Sequence, residues 1–167
     1  MRIRRAEERD LEELLKIERA CFPPAEAAGE ASMKERIRTF PETFWVLEEE
    51  GKQILGFISG MPSGEEQLTD AMYAGTEGYQ KDGAWLMIFG VDVRPREQGK
   101  GYGALLMRTM VQDAKKQGRK GVVLLCKERM IPFYRKFGFE EEGRSDSCHG
   151  GEVWYSMRRR FPEREGA

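Results

Sequence analysis

The sequence has one histidine and three cysteines, and it lacks the pairings that would give them a metal or a disulfide. Cys21, Cys126 and Cys148 lie far apart, no C-x-x-C occurs and His149 stands alone, which argues against a zinc site. The odd, unpaired cysteine count predicts reduced thiols in a cytoplasmic protein. No apolar run approaches the ~20 residues of a membrane span, and Met1-Arg2-Ile3-Arg4-Arg5 lacks the apolar stretch of a signal peptide. An excess of either charge is also missing: 28 Lys and Arg face 29 Asp and Glu, which argues against a general nucleic-acid partner. The run Arg158-Arg159-Arg160, diluted by Glu163 and Glu165, reads as the solvated end of a last strand. Repeats and interdomain linkers are absent as well. What is there is a single domain spanning residues 1–167, whose 40% hydrophobic content suffices for a core without cross-links.

Periodicity divides the chain into short elements. Arg2 to Arg5 reads as a strand, and Leu11, Leu14, Leu15 and Ile17 recur at helical spacing over about residues 8–21, where Phe22-Pro23-Pro24 stops the helix. A second, weakly apolar and exposed helix is expected over about 26–39, ended by Pro41. Two strands, 44–49 and 53–59, flank the hairpin turn Glu50-Gly51-Lys52. Residues 62–83 are polar and glycine-rich and read as a long loop or lid, with a short helix near Leu68 to Tyr73. Ala84 to Val93 is apolar enough for a central strand buried on both faces, and Gly90 within it marks a bulge or a close backbone approach. Leu105, Leu106, Met110, Val111 and Ala114 then form one face of an amphipathic helix ending near Gly118. A buried strand, 121–126, a short helix, 130–137, and two strands, 140–144 and 152–158, complete the order β-α-α-β-β-β-α-β-α-β-β, a mixed-sheet α/β fold.

The chemistry concentrates in Gln98-Gly99-Lys100-Gly101-Tyr102-Gly103, a glycine-rich turn between strand and helix. The first amides of a helix lack internal partners and the helix dipole is positive there, so such a turn forms an anion site. Gly99, Gly101 and Gly103 remove side chains where a phosphate would approach the backbone, and Arg96 and Lys100 add positive charge. The Walker pattern fails because Gly101 follows Lys100, and the dinucleotide fingerprint fails because Leu106 stands where its third glycine belongs.

From Val91 to Gly103 the sequence resembles the Gln/Arg-x-x-Gly-x-Gly/Ala signature of the GNAT superfamily of N-acetyltransferases, and the element order agrees along nearly the whole chain. The resemblance implies the GNAT fold and acetyl-CoA as cosubstrate. It further implies a pyrophosphate held by Gln98, Gly99, Lys100, Gly101, Tyr102 and Gly103, and a pantetheine arm laid against the backbone of Phe89, Val91 and Val93 like an added strand. A narrower resemblance, to the arylalkylamine (serotonin-type) N-acetyltransferases, runs from Leu125 to Phe139, with Cys21 to Glu26 and Leu68-Thr69-Asp70 similar to bacterial relatives of that branch. It implies that Tyr134 is the general acid that protonates the departing thiolate; packing with Phe133, Phe137 and Phe139 is the structural alternative.

The sequence departs from that branch in one respect. Where those enzymes carry two histidines on the strand before the signature, this chain has Trp85 and Met87, which cannot take a proton. The base then differs, acts through water or is not needed; Glu26, Asp70 and Asp92 are the carboxylates open to the role, and His149 falls in a loop that reaches the acceptor side in this fold. Phe22, Pro23, Glu26, Trp85 and Met87, with Phe57 and Tyr73, are expected to border the acceptor, and the resemblance implies a small-molecule amine there, attacking directly without an enzyme-bound acetyl group. Cys126, on a buried strand, is not expected to act as a nucleophile. Acceptors such as a protein N-terminus, a lysine, a polyamine or an aminoglycoside, and a non-catalytic acetyl-CoA-binding module, remain open alternatives. A homodimer is compatible with this reading, and a membrane or nucleic-acid partner is not expected.

Overall fold

A computed structural model describes residues 1–51 and 53–163. Its strands are β1 (Arg2–Arg5), β2 (Phe44–Glu48), β3 (Ile54–Ser63), β4 (Trp85–Val93), β5 (Gly121–Cys126), β6 (Glu140–Arg144) and β7 (Tyr155–Arg160), joined in one sheet of order β1-β2-β3-β4-β5-β7-β6. All neighbours are antiparallel except β4 and β5, which are parallel and connected by the helix α4 (Tyr102–Lys116). Helices α1 (Leu11–Cys21) and α2 (Glu30–Thr39) cover one face, and α4 with the short α5 (Ile131–Arg135) covers the other. The expected mixed-sheet order holds, and the short helix expected near Leu68 to Tyr73 is α3 (Asp70–Tyr73), in the loop before β4.

Each helix follows from its apolar stripe. Leu14, Leu15 and Ile17 of α1 are buried with Met33 and Ile37 of α2 against Phe44, Val46 and Phe57 of the sheet. Each such side chain contributes roughly 1.5–3 kcal/mol of transfer free energy. On the other face, Leu106, Met107, Met110, Val111 and Ala114 of α4 pack on Leu47, Ile58, Leu86, Ile88, Val122 and Leu124.

Several expectations need correction. The second helix begins at Glu30, because Pro23 to Ala27 turn tightly through amide bonds from Glu26 and Ala27 to the Pro23 carbonyl. It is not an exposed helix: Met33, Arg36 and Ile37 are buried, a stripe that mean polarity hid. Strand β3 runs four residues past Ser59, to Ser63, because Gly60 to Ser63 pair with Ile88 to Trp85. Pro62 is tolerated there because β2 ends opposite Ser59, leaving that edge of β3 without a strand partner. The last strand starts at Tyr155, and Arg158 within it is buried rather than solvated; it pairs with Glu142 at 2.9 Å and lies over the Trp85 ring.

The sheet parts in its middle. Pairing of β4 with β5 stops at Ile88 and Leu124. Phe89 is an extra residue relative to β3, where Gly60 faces Ile88 and Ser59 faces Gly90, and this bulge turns β4 away. Beyond it β4 continues beside β3 alone, whereas Leu125 and Cys126 of β5 pair with Ser156 and Tyr155 of β7. A wedge opens between the two parallel strands.

Candidate active site

One wall of the wedge is bare backbone. The Arg94 amide donates to the Leu55 carbonyl on β3, so by alternation Asp92 and Gly90 also direct their main-chain groups to β3, and Val91 and Val93 direct theirs into the wedge. The Val93 carbonyl is already occupied: it accepts from Gln98 Nε2 at 3.0 Å and from Cys21 Sγ at 3.2 Å. The Gln98 side chain thereby ties the glycine turn to the strand end.

That turn leads directly into α4. Gly99 and Gly101 have φ of 82° and 89°, a conformation L side chains rarely adopt, and nothing lies within 4 Å of where their Cβ atoms would be. Gly101 is the residue before the first helical position, so the unpaired amides of the first turn of α4 begin beside an exposed loop that is bare at Gly99 and Gly101. Gly103 is different: its φ is not positive, and a Cβ there would meet Phe133, Val91 and Val93 in ordinary contact at 3.8–3.9 Å. The Lys100 ammonium is not free for an anion as the sequence suggested; it pairs with Glu97 at 2.7 Å. Phosphate recognition at this turn therefore falls chiefly to amides and the helix dipole.

Tyr134 of α5 packs against the core on the α4 face, near Asp92 of β4 and Cys126 of β5. It packs edge-on against Phe133 and Phe139, so the structural alternative for it is real. Burial, and then Cys126 and Asp92 nearby, push its phenol well above the usual tyrosine range, which keeps the hydroxyl protonated and able to donate. Burial likewise pushes the Cys126 thiol up to about 11, which fits an inert side chain rather than a nucleophile.

Beneath the bulge lies a carboxyl pair. Asp92 is fully buried beside Glu18 of α1; burial first, and Glu18 and Cys21 next, raise its pKa well above the ordinary carboxylate range, against the Arg36 charge. Asp92 therefore keeps its proton in the folded protein. Arg36 is also buried, donates to the Tyr73 carbonyl at 3.1 Å and lies 4.3 Å from the Phe89 ring centre. Glu18 escaped sequence reading, although Leu14, Glu18 and Cys21 share one face of α1 by their spacing of four and three.

On the α1 and α2 side, three loops converge. Glu26, 6% exposed, comes from the α1–α2 connection and pairs with Lys127 at 2.9 Å. Tyr73 of α3 packs on Phe89 at 5.3 Å, and His149, between β6 and β7, stacks on Tyr73 at 4.7 Å. The Trp154 indole donates to the His149 carbonyl at 2.8 Å. Asp70 accepts from the Ser147 hydroxyl and the Cys148 amide. Glu26, Asp70 and His149, separate in sequence, are thus brought to one rim. The Lys127 partner of Glu26 had no local sequence signal, being 101 residues away.

Other expected residues lie elsewhere. Trp85 stands at the start of β4, before the strands part, and is held under Arg158; Met87 and Phe57 are core side chains with 0% and 1% exposure. Their apolar character is explained by packing, so these three do not border the opening. Phe22 is half-buried and Pro23 exposed, both in the α1–α2 connection that carries Glu26.

An exposed amide-lined turn, an open strand edge and a buried acid at the far side suit a ligand with phosphates at one end and an extended arm at the other. The profile of the acetyltransferase (GNAT) family matches residues 11–139, and the chain belongs to that family. It is 33% identical over 96 residues to serotonin N-acetyltransferase of Mesocricetus auratus, covering 57% of this chain and 44% of that protein. The chain spans less than half the length of the curated relatives it matches. Among solved structures, the GphF GNAT-like decarboxylase in complex with isobutyryl-CoA superposes with a TM-score of 0.81 at 21% identity, over 96% of this chain and 99% of that one. A GNAT family acetyltransferase from Brucella melitensis in complex with acetyl-CoA gives 0.60 at 24% identity, over 97% and 91%. These two likenesses concern the fold.

Proposed function

We propose that this chain transfers the acetyl group of acetyl-CoA to the primary amine of a small molecule by direct attack. The observation that carries the proposal is the wedge: an amide-lined turn with positive-φ glycines opens onto the bare edge of β4, and the Tyr134 phenol lies near Asp92 of β4 and Cys126 of β5, the two strands that part there. Family membership and the acyl-CoA complexes of similar folds support the same cosubstrate.

The residues present fit that ligand. Gly99 and Gly101 leave open space where side chains would block a diphosphate, and β5 stops pairing at Leu124, which leaves the Val91 backbone without a strand partner on that side. Acetyl-CoA supplies the acetyl group as a thioester, which a neutral amine attacks without further activation of the carbon. Gln98 to Gly103 bind the phosphates, and Phe89, Val91 and Val93 orient the arm. Tyr134 gives its proton to the departing sulfur, and its raised pKa makes it a weak acid that is always loaded at neutral pH. Much of the rate gain comes from holding two reactants together.

For the acceptor, the aromatic rim of Tyr73, Phe89 and Trp154 and the likeness to serotonin N-acetyltransferase favour an arylalkylamine-like molecule over a polypeptide. An acceptor panel of arylalkylamines, polyamines, aminoglycosides and peptides, with release of free thiol as the readout, tests this. Turnover confined to small amines supports the proposal; turnover on peptide N-termini or lysines alone would replace the acceptor class, and acetyl-CoA binding without any turnover would remove the catalytic claim.

A further inference from the structure

Amines are protonated at neutral pH, so direct attack needs a group that takes a proton, and the buried Trp85 and Met87 of β4 cannot take one. We propose that His149, stacked on Tyr73 at the rim beside Phe89, is the group that removes a proton from the acceptor ammonium; the assignment rests on the acetyl-transfer reading above.

The geometry fixes which nitrogen is available. His149 Nε2 lies 2.8 Å from the backbone carbonyl of Glu26. A carbonyl oxygen only accepts, so Nε2 carries the hydrogen and Nδ1 the lone pair. Among the described residues none is hydrogen-bonded to Nδ1. The ring is held flat on Tyr73, 12° from parallel, and Tyr73 in turn lies against Phe89 where β4 leaves β5. Gly150 permits this approach: its φ is 64°, and a Cβ there would sit 2.5 Å from Glu26 Cγ.

The competing bases are engaged. Burial would raise the Asp70 pKa, but hydrogen bonds from the Ser147 hydroxyl and the Cys148 amide and thiol lower it below its ordinary value. Glu26 is ion-paired with Lys127, and Asp92 is wholly enclosed with Glu18. The groups facing the imidazole are therefore Glu26 and Lys127 from the α1–α2 connection and the end of β5, Asp70 and Tyr73 from α3, and Cys148 and Trp154 from its own loop. An incoming ammonium meets carboxylates and aromatic faces, which attract it, while the Lys127 cation is matched by Glu26.

The step balances. Nδ1 takes one proton from the ammonium, and the freed nitrogen lone pair forms the C–N bond as the C–S bond breaks. The leaving sulfur takes the Tyr134 proton, and the phenol is restored by the second proton lost from nitrogen. His149 then releases its proton to water.

Because the chain has one histidine, a long-range proton–nitrogen spectrum of 15N-histidine-labelled protein reports His149 alone. The expected result is the Nε2–H tautomer in the neutral ring; the Nδ1–H tautomer would overturn the assignment. His149→Gln keeps an N–H donor for the Glu26 carbonyl and removes the base. It is expected to bind acetyl-CoA as the parent does, to lose roughly 10²- to 10⁴-fold in kcat/KM with an alkylamine, to lose the acid limb of the pH profile, and to approach parent rates with an arylamine that is already neutral. Equal losses on both amines, or an unchanged pH profile, would overturn it. Failure of the underlying reading looks different, since the parent protein then acetylates no amine whatever its tautomer, and the proton-acceptor role falls with it.

Discussion

Alanine at Gly101 and at Gly103, two residues apart in the same turn, should move stability in opposite directions. Gly101 sits at φ 89° and ψ 7°, and an L residue held left-handed costs about 1–2 kcal/mol. Gly103 is within the first turn of α4, where a Cβ makes only ordinary contacts at 3.8–3.9 Å. Alanine there gains about 0.5–1 kcal/mol by lowering the entropy of the unfolded chain and raising helix propensity. For a domain of this size 1 kcal/mol corresponds to roughly 2–4 °C in Tm. Gly101→Ala should therefore melt about 2–8 °C lower and Gly103→Ala about 1–4 °C higher, measured by differential scanning fluorimetry without ligand. Acetyl-CoA separates them further. Re-aiming the turn amides in Gly101→Ala removes at least one hydrogen bond to a charged group, about 1.5–3 kcal/mol or tenfold or more in Kd, whereas Gly103→Ala should bind nearly as the parent does. Two variants that fall together in Tm, or a Gly101→Ala protein as stable as the parent, would show that the turn does not require its left-handed residue.

Three further outcomes are expected. Tyr134→Phe keeps the ring packing against Phe133 and Phe139 but removes the proton donor, so kcat should fall by roughly 10²-fold or more with acetyl-CoA binding unchanged; a loss within threefold would leave Tyr134 as a packing residue. The raised pKa of Asp92 means that the folded state holds a proton the unfolded chain has released, so its contribution to stability is fully present below the ordinary aspartate range and is lost as pH rises through the raised value. Asp92→Asn has no such proton to lose and should match the parent Tm in acid but exceed it at alkaline pH; parallel Tm curves would refute the raised pKa of Asp92. Alkylation of the native protein followed by mass spectrometry should modify exposed Cys148 well before buried Cys126, whose thiol is pushed up to about 11; labelling of Cys126 first would contradict its burial.

How far the sequence could be read depended on whether a feature was local. The strand–glycine turn–helix unit was legible because its signal is contiguous: the apolar run of β4, the glycines at 99, 101 and 103, and the repeat of Leu106, Met110 and Ala114. The burial of α2 was legible in principle, since Met33, Ile37 and Phe40 recur at helical spacing, but the charges between them, Arg36 among them, lowered the mean hydropathy and masked the stripe. Gly60 and Pro62 look like breakers, and only the missing β2 partner beyond Ser59 explains why β3 continues through them. The acceptor rim was least legible. Glu26 and Lys127, or Asp70 and Ser147, meet only because the loops close over the parted strands. Trp85 was misplaced for a related reason: distance along β4 to the signature says nothing of where β5 stops pairing.

Thermal melting with acetyl-CoA, free coenzyme A and ATP tests acetyl-CoA binding at the wedge most directly. A ligand at about 100 times its Kd stabilises the folded state by roughly 2.7 kcal/mol, or about 5–10 °C here. The predicted result is a shift of that size with acetyl-CoA and with coenzyme A and none with ATP, because the open edge of β4 recognises an extended arm as well as phosphates. No shift with either thiol ligand, or an equal shift with ATP, would contradict acetyl-CoA binding at the wedge.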